Sequence, residues 1–155
     1  VFFIPAGTIH AIGKGILLAE VQENSNTTYR LYDYGRLGND GKPRQLHVQQ
    51  GTEVCSLKPL PLVDKRQQAA LPSDCTAELL VSCEYFNTYS IELSGANHLK
   101  ADNESFHTFT VLEGNLLLTY QGEKLPMEAG QSVFLPANMG DYTIEGQAHL
   151  IFTTL

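Results

Sequence analysis

Three polar residues near the start of the chain have side chains that could take part in chemistry. His10 follows a Pro-Ala-Gly turn, Glu20 lies in an apolar run, and Arg30 lies in an aromatic-rich segment. An imidazole can ligate a metal ion, a carboxylate can relay a proton, and a guanidinium can hold an oxyanion or a phosphate. Each residue also has a structural alternative: a hydrogen-bonded barrel histidine, a solvated carboxylate and a surface cation–π partner.

The composition is that of an ordinary globular protein. The 155 residues suit one domain, and 43% of them are hydrophobic. The formal net charge of −7 argues against a nucleic-acid partner, and no stretch approaches the ~20 apolar residues of a membrane span. Cys55, Cys75 and Cys83 form no CxxC pair. We therefore expect reduced thiols in a cytoplasmic protein, without a thiolate zinc site.

Short strand-like runs carry the three polar residues and fill most of the remaining chain. In the first part these runs are Val1–Ile4, Ile9–Ile12, Ile16–Gln22 and Thr27–Tyr34. Leu46–Val54 has weak helical character. In the second part the runs are Leu79–Leu93, Phe106–Leu112, Leu116–Gln121, Ser132–Leu135, Tyr142–Glu145 and Ala148–Thr153, with glycine hinges around Gly114, Gly122 and Gly130. Many short strands separated by glycine hinges predict an all-β sandwich or barrel.

An internal repeat joins the two ends of the chain. Phe3–His10 resembles Phe134–Asp141, with a constant offset of 131 residues. Proline fixes φ where the turn begins, and the Gly or Asn two residues later tolerates a positive φ. The strand after the turn begins with His10 in one copy and with Asp141 in the other. Upstream elements are present only for the second copy, so we expect the end of one barrel followed by one complete barrel.

The spacing Gly130-x5-Pro136, with the VLEG turn at Val111–Gly114, resembles the cupin superfamily, a double-stranded β-helix or jelly roll. The resemblance implies that His10 closes a metal site. In the second barrel His107 stands at the position of the family's ligand glutamate, and Asp141 replaces the closing histidine. We therefore expect a degenerate, metal-less second barrel, with a His107–Asp141 two-ligand remnant as the alternative. The predicted parts are residues 1–57 (catalytic barrel), 58–78 (connector) and 79–155 (second barrel).

A closer resemblance extends over essentially the whole chain. The segments PAGTIHAIGKG from Pro5, NTTYRLYDYGR from Asn26 and KPRQLH from Lys42 are similar to bacterial type I mannose-6-phosphate isomerases, as their C-terminal half. The resemblance implies a zinc-dependent interconversion of mannose 6-phosphate and fructose 6-phosphate through a cis-enediol. It implies that His10 is the last of four zinc ligands, that Arg30 is the essential catalytic arginine, and that Glu20 contacts sugar hydroxyls or relays a proton.

The remaining expectations concern activity and partners. With one of the four ligands, the chain alone is expected to be inactive and to hold zinc weakly or not at all. The expected partner is a small sugar phosphate, with neither nucleic acid nor membrane, and the open strand edges of the first barrel could pair into an edge-paired or swapped homodimer. The alternative is a non-enzymatic cupin that binds carbohydrates or phosphosugars.

Overall fold

The computed structural model describes residues 1–59, 67–70 and 76–155, with the backbone alone for 67–70 and 76. Most of the predicted connector therefore lies outside the described residues, and so does Cys75. The chain forms two compact units, Phe2–Leu62 and Val63–Leu155. No helix in the described part of the chain is long and apolar enough to cross a membrane.

The C-terminal unit is an antiparallel sheet, which confirms the prediction of an all-β fold class. Its strands are β1 (Gln67–Ala70), β2 (Thr76–Ser82), β3 (Asn87–Ala101), β4 (His107–Tyr120), β5 (Glu123–Glu128), β6 (Ser132–Leu135) and β7 (Gly140–Thr154). The strand order is β1-β2-β3-β7-β4-β5, and β6 pairs with the first residues of β4. The last strand therefore lies between two strands that precede it in the chain.

The central pairing of this sheet joins β3 to β7. Its register runs without a shift from Asn87 opposite Thr154 to Ala101 opposite Gly140. The buried apolar residues of β3 to β7 belong to one core, with Phe109, Ile144 and Phe152 almost fully enclosed. Burial of these large side chains, each contributing ~1.5–3 kcal/mol, is the main stabilising term of the unit.

A β-bulge replaces one of the three predicted hinges. In β4 the buried residues are His107, Phe109 and Val111, and then, with the alternation shifted by one residue, Leu116 and Leu118. The register against β7 shifts between Val111 and Glu113, and Gly114 follows with φ +77°. The extra residue keeps apolar side chains on the core face of both halves of the strand. The predicted hinge at Gly114 is wrong, because ladder hydrogen bonds between β4 and β7 continue on both sides of it.

The other two hinges are turns, as the sequence predicts. Gln121 and Gly122 both have positive φ, at 50° and 87°, and they join β4 to β5 in a two-residue hairpin loop. Gly130, with φ 87°, lies in the turn between β5 and β6, and its N–H donates to the carbonyl of Val111.

The N-terminal unit departs from the prediction, because none of the four expected runs in residues 1–34 forms a hydrogen-bonded strand. A strand exists only when a neighbouring strand pairs with it, and within the described residues of this unit only Leu37 and Pro43 form a β-bridge. Many apolar side chains here are consequently exposed, including Phe2 and Leu17. The weak helical signal is confirmed as α1 (Val48–Val54).

The turn of the internal repeat has the same backbone conformation in both copies. Gly7 has φ +83° and Asn138, its counterpart 131 residues later, has φ +63°. In the first copy the turn packs against the end of α1, because Ser56 N–H donates to the Gly7 carbonyl at 2.8 Å. A Cβ at Gly7 would lie 2.7 Å from the Val54 carbonyl oxygen, so both the conformation and the close approach require glycine.

Candidate functional site

His10 is exposed, and its imidazole is oriented by the turn that precedes it. Its Nδ1 lies 2.9 Å from the Thr8 carbonyl oxygen, which only accepts hydrogen bonds, so Nδ1 carries the proton. Nε2 then presents its lone pair to the surroundings. A ligating histidine generally has this arrangement, in which one ring nitrogen donates to a carbonyl and the other is available to the metal. A single imidazole in this arrangement is compatible with a zinc ligand, and the role that the PAGTIH segment implies for His10 stays a prediction.

Glu20 is also exposed, and within the described residues its carboxylate makes no ion pair or hydrogen bond. Neither hydrogen bonds nor ion pairs join it to His10 or Arg30 in the described part of the chain. Its predicted role in contacting sugar hydroxyls therefore stays a prediction.

Arg30 is held more firmly than the other two predicted site residues. Its side chain is 24% exposed, and Nη1 donates to the Gln45 carbonyl at 3.3 Å. Its backbone is paired with His47 in both directions: the Arg30 N–H donates to the His47 imidazole Nδ1 at 3.2 Å, and the His47 N–H donates to the Arg30 carbonyl at 2.7 Å. These two bonds to His47, the residue before helix α1, therefore fix the backbone position of Arg30.

Helix α1 packs directly on the arginine's neighbours. A Cβ on the buried Gly51 would lie 2.5 Å from the Leu31 side chain, and the Tyr29 Cβ is also close. Tyr29 and Leu31 therefore face the helix, and the Arg30 side chain leaves on the other side. This agrees with the predicted alternation along 29–31, although the segment is extended rather than a paired strand.

A tight turn beyond Arg30 creates a charged cluster that the sequence did not predict. The Arg36 N–H donates to the Asp33 carbonyl at 3.0 Å across Tyr34 and Gly35, whose φ values are +53° and +69°. Two central residues with positive φ define a type I′ turn. The turn brings the Arg36 guanidinium back to the Asp33 carboxylate, with Nη2 to Oδ1 at 2.7 Å.

A second loop adds Arg44 to the same carboxylate. The Gly38 N–H donates to the Lys42 carbonyl at 2.8 Å and Leu37 bridges to Pro43, so the chain returns alongside Arg36. Arg44 Nε donates to Asp33 Oδ2 at 2.6 Å, and Arg44 Nη2 donates to Oδ1. Arg30 Nε lies 3.7 Å from the same Oδ1. Three guanidinium groups therefore surround one carboxylate, which is only 5% exposed.

The charges of this arginine cluster (Arg30, Asp33, Arg36 and Arg44) shift the ionisation of its members. Hydrogen bonds from Arg44, followed by those from Arg36 and the charges of both, lower the pKa of Asp33 to about 2 against the opposing effect of burial. The hydrogen bond to Asp33 in turn raises the pKa of Arg44. With Asp33 ionised, the cluster carries three positive charges and one negative charge, so it is suited to hold an anion.

In the C-terminal unit, His107 and Asp141 do not form the two-ligand remnant that was the alternative. His107 is buried, and its Nδ1 lies 2.8 Å from the hydroxyl of Tyr142. Asp141 is the neighbour of Tyr142 on β7, so its side chain points to the opposite face and lines an open groove with His98 and Lys100. Burial lowers the pKa of His107 and raises that of Tyr142, so both are neutral near pH 7.

A contact between Ser90, His149 and Glu92 on β3 and β7 resembles a catalytic triad only in composition. Ser90 Oγ lies 2.8 Å and Glu92 Oε1 lies 3.7 Å from the same imidazole atom, Nε2. In a triad the carboxylate holds the second ring nitrogen, which lets the first take the hydroxyl proton. The hydroxyl and the carboxylate here share one ring nitrogen, so the contact lacks the geometry of a triad.

Asp33, Arg36 and Arg44 are the site residues that sequence reasoning missed. Arg44 follows a glycine-rich loop that also holds asparagine and proline, and a charge in such a loop is usually solvated, so its residue type alone does not indicate a buried partner. The available signal was Gly35 alone, because glycine tolerates the positive φ of a tight turn, whereas Tyr34-Gly35 is not one of the dipeptides typical of a type I′ turn.

The curated relatives of this chain carry the name mannose-6-phosphate isomerase, which for YvyI reads "putative mannose-6-phosphate isomerase". A family model described as the mannose-6-phosphate isomerase cupin domain matches residues 76–155. The mannose-6-phosphate isomerase ManA of Bacillus subtilis strain 168 is 37% identical over 154 residues, and YvyI of the same strain is 38% identical over 152 residues. The matches cover 99% and 97% of this chain but only 48% and 47% of those proteins, so the chain spans about half their length.

A solved structure gives the same result. The crystal structure of the mannose 6-phosphate isomerase from Bacillus subtilis is similar with a TM-score of 0.69 and 33% identity, over 85% of this chain and 41% of that one. Together with the family model, this confirms the predicted cupin fold. The chain therefore belongs to the mannose-6-phosphate isomerase family, of which residues 76–155 form the cupin domain.

Proposed function

We propose that this chain is the C-terminal part of a zinc-dependent aldose–ketose isomerase that interconverts mannose 6-phosphate and fructose 6-phosphate through a cis-enediol. The observation that carries the proposal is the match of nearly the whole chain, 99%, to the isomerase ManA at 37% identity. The predicted parts (residues 1–57, 58–78 and 79–155) and a cytoplasmic location belong to the same proposal. The partner is the sugar phosphate.

The reaction removes a proton from the carbon beside a carbonyl group, and negative charge then accumulates on the carbonyl oxygen. A fixed cation close to that oxygen lowers the energy of the enediolate, and such electrostatic stabilisation is often the largest single contribution to catalysis. The Arg30 guanidinium suits this task, because the Gln45 carbonyl and Asp33 restrict it while its other N–H groups have no hydrogen-bond partner in the described part of the chain.

The other two residues complete the proposed site. His10 would hold zinc through Nε2, since Nδ1–H is already committed to the Thr8 carbonyl. When bound, the zinc ion supplies Lewis-acid polarisation of the sugar oxygens. Glu20 has a carboxylate available to contact a sugar hydroxyl or relay a proton between the two carbons. His10 provides one ligand, and catalytic zinc sites generally use three or more protein ligands.

A coupled assay tests the proposal. Mannose 6-phosphate turnover and zinc content are measured on this chain and on the extended protein, which we define as this chain with any sequence encoded upstream of Val1. We expect turnover and about one zinc ion per extended protein, and neither in the isolated chain. An extended protein without zinc or turnover contradicts the proposal, and calorimetric binding of sugar phosphates by that inactive protein would favour a carbohydrate-binding module.

A further inference from the structure

We propose that Asp33 is a positioning residue, whose carboxylate fixes the guanidinium of Arg30 by gathering Arg36 and Arg44 around one buried point. This inference rests on the proposed function, because it concerns how Arg30 is presented to a sugar phosphate. Asp33 itself would touch neither substrate nor metal: it is enclosed and its acceptor positions are occupied by guanidinium donors.

The geometry of the carboxylate is the first argument. Arg36 donates to Oδ1 through Nε at 3.1 Å and Nη2 at 2.7 Å, and Arg44 spans both oxygens. These fork-shaped contacts fix the plane of each guanidinium as well as its position. Arg30 Nε lies 3.7 Å from Oδ1, an ion-pair contact longer than a hydrogen bond, while its Nη1 donates to the Gln45 carbonyl. Asp33 therefore anchors one end of the Arg30 guanidinium, and a backbone carbonyl anchors the other.

The charge balance is the second argument. Without the carboxylate, three guanidinium groups within a few ångströms would repel one another and Arg30 would turn towards solvent. With it, the cluster keeps an excess of two positive charges, and its members differ in exposure: 24% for Arg30, 34% for Arg44 and 63% for Arg36. Asp33 thus makes the cluster stable enough to persist and leaves it positive enough to attract an anionic substrate.

The local fold is the third argument, because it makes the carboxylate hard to replace. Asp33 is the first residue of the type I′ turn and Arg36 is the last. The turn therefore brings the Arg36 side chain next to the Asp33 carboxylate. The reciprocal bonds between Arg30 and His47 close the same segment from the other side. Asparagine at position 33 would keep the turn but would lose the negative charge. Its side-chain N–H₂ group is a donor and would face the donor groups of Arg44.

The decisive experiment measures kcat, KM and the order of the Arg30 side chain in the extended protein. For Asp33→Asn we expect kcat to fall by about 10²-fold, as for a misplaced catalytic group, with KM changed by less than about 3-fold. The NMR signal of Arg30 Nε should also show faster guanidinium rotation. Asp33→Glu should restore part of kcat. Asp40→Asn is the matched control, because Asp40 is an exposed carboxylate in the neighbouring loop, where the Lys42 N–H is its hydrogen-bond partner among the described residues.

Arg44→Lys provides a second variant if Asp33→Asn does not fold, because it keeps the charge and loses the fork. It should mobilise Arg30 and lower kcat in the same direction. The inference is overturned if these variants leave the Arg30 signal and kcat as they are in Asp40→Asn. A wild-type extended protein without turnover would contradict the proposed function instead, and the NMR measurement would still decide whether Asp33 holds Arg30.

Discussion

Arg30 is the single residue on which most of the proposed chemistry depends. It combines partial burial with two anchors, and a catalytic cation needs that combination because an unrestrained arginine would be solvated and would reorganise during the reaction. An exposed lysine on a loop, such as Lys14, offers the same charge without those restraints.

Arg30→Ala in the extended protein should therefore lower kcat by about 10²–10³-fold, the loss typical when one oxyanion donor is removed. The melting temperature should change little, because the Asp33 carboxylate left behind keeps its hydrogen bonds from Arg36 and Arg44. Coupled turnover assays and thermal melts check both expectations. Lys14→Ala is the control and should leave both unchanged, and Arg30→Ala with turnover within a few-fold of wild type would show that our role for Arg30 is wrong.

The low pKa of Asp33 predicts a specific dependence of stability on acid. The pKa is about 2 in the folded chain against an ordinary value of 3.8, so the ionised carboxylate stabilises the fold fully above about pH 4. That contribution is lost as pH falls from about 4 through 2. The difference in free energy of unfolding between wild type and Asp33→Asn, from urea titrations, should vanish over that interval. A difference that is constant down to pH 2 would contradict the assignment.

Sequence patterns located some site residues and missed others for a physical reason. His10 and Arg30 lie in contiguous motifs that resemble a family, and the conformation of the Pro5–His10 turn is set locally by Pro5 and Gly7. Asp33 contacts Arg44, which lies eleven residues later in the chain, and this contact depends on how the loop between them folds back. Loop closure follows from three-dimensional hydrogen bonds, such as the one from Gly38 to Lys42, which residue types alone do not specify.

At the scale of elements, the bulge between Val111 and Glu113, followed by Gly114, is the feature that lets β4 remain one strand. Gly114 combines φ +77° with a close approach, because a Cβ would lie 2.0 Å from the Gln147 carbonyl oxygen. Gly122 in the β4–β5 turn has φ +87° and open space around the Cβ position. The two glycines therefore share a conformational requirement and differ in the space available.

Gly122→Ala should cost about 1–2 kcal/mol, the strain of a left-handed residue that carries a side chain. Gly114→Ala should cost at least 4 kcal/mol, because the backbone of β7 must also move. Urea unfolding of the extended protein measures both free energies. Equal losses for the two variants would show that the close approach at Gly114 relaxes without cost.

The hydrogen bond between His107 and Tyr142 connects β4 to β7 inside the core. Tyr142→Phe leaves a buried imidazole nitrogen unpaired, which should lower the free energy of unfolding by about 1–3 kcal/mol. Tyr85→Phe is the matched control, because Tyr85 is exposed, and it should change stability by less than ~0.5 kcal/mol. Equal stability of the two variants in urea titrations would contradict a structural role for the hydrogen bond.

The elements of the two units were not equally predictable. In the C-terminal unit each predicted run lies in or close to a strand, because its alternating apolar residues find antiparallel neighbours and one shared core. The runs in residues 1–34 have similar composition but no paired neighbour among the described residues. Composition therefore predicts the tendency to form a strand, and pairing decides whether the strand exists.

At the scale of the whole molecule, the exposed apolar side chains of the N-terminal unit have the clearest consequence. Leu17 is 99% exposed and Phe2 is 88% exposed, with Ile9 and Ile16 also largely accessible. Soluble monomers rarely expose many large apolar groups in one short segment, and such surfaces promote association. The sequence-based expectation is a homodimer paired through open strand edges of the first barrel, but the described residues 1–34 form no strand, so the exposed apolar side chains are the surface available for association.

We therefore expect the isolated 155-residue chain to self-associate reversibly, with a sedimentation coefficient that rises with concentration. Leu17→Lys should weaken this association, because it places a charge where an apolar contact would form. Leu125→Lys is the matched control, since Leu125 is an exposed leucine on β5 in the other unit, and it should leave the association unchanged. A chain that sediments as a monomer at every concentration, or equal effects of the two substitutions, would show that the exposed N-terminal side chains do not drive association.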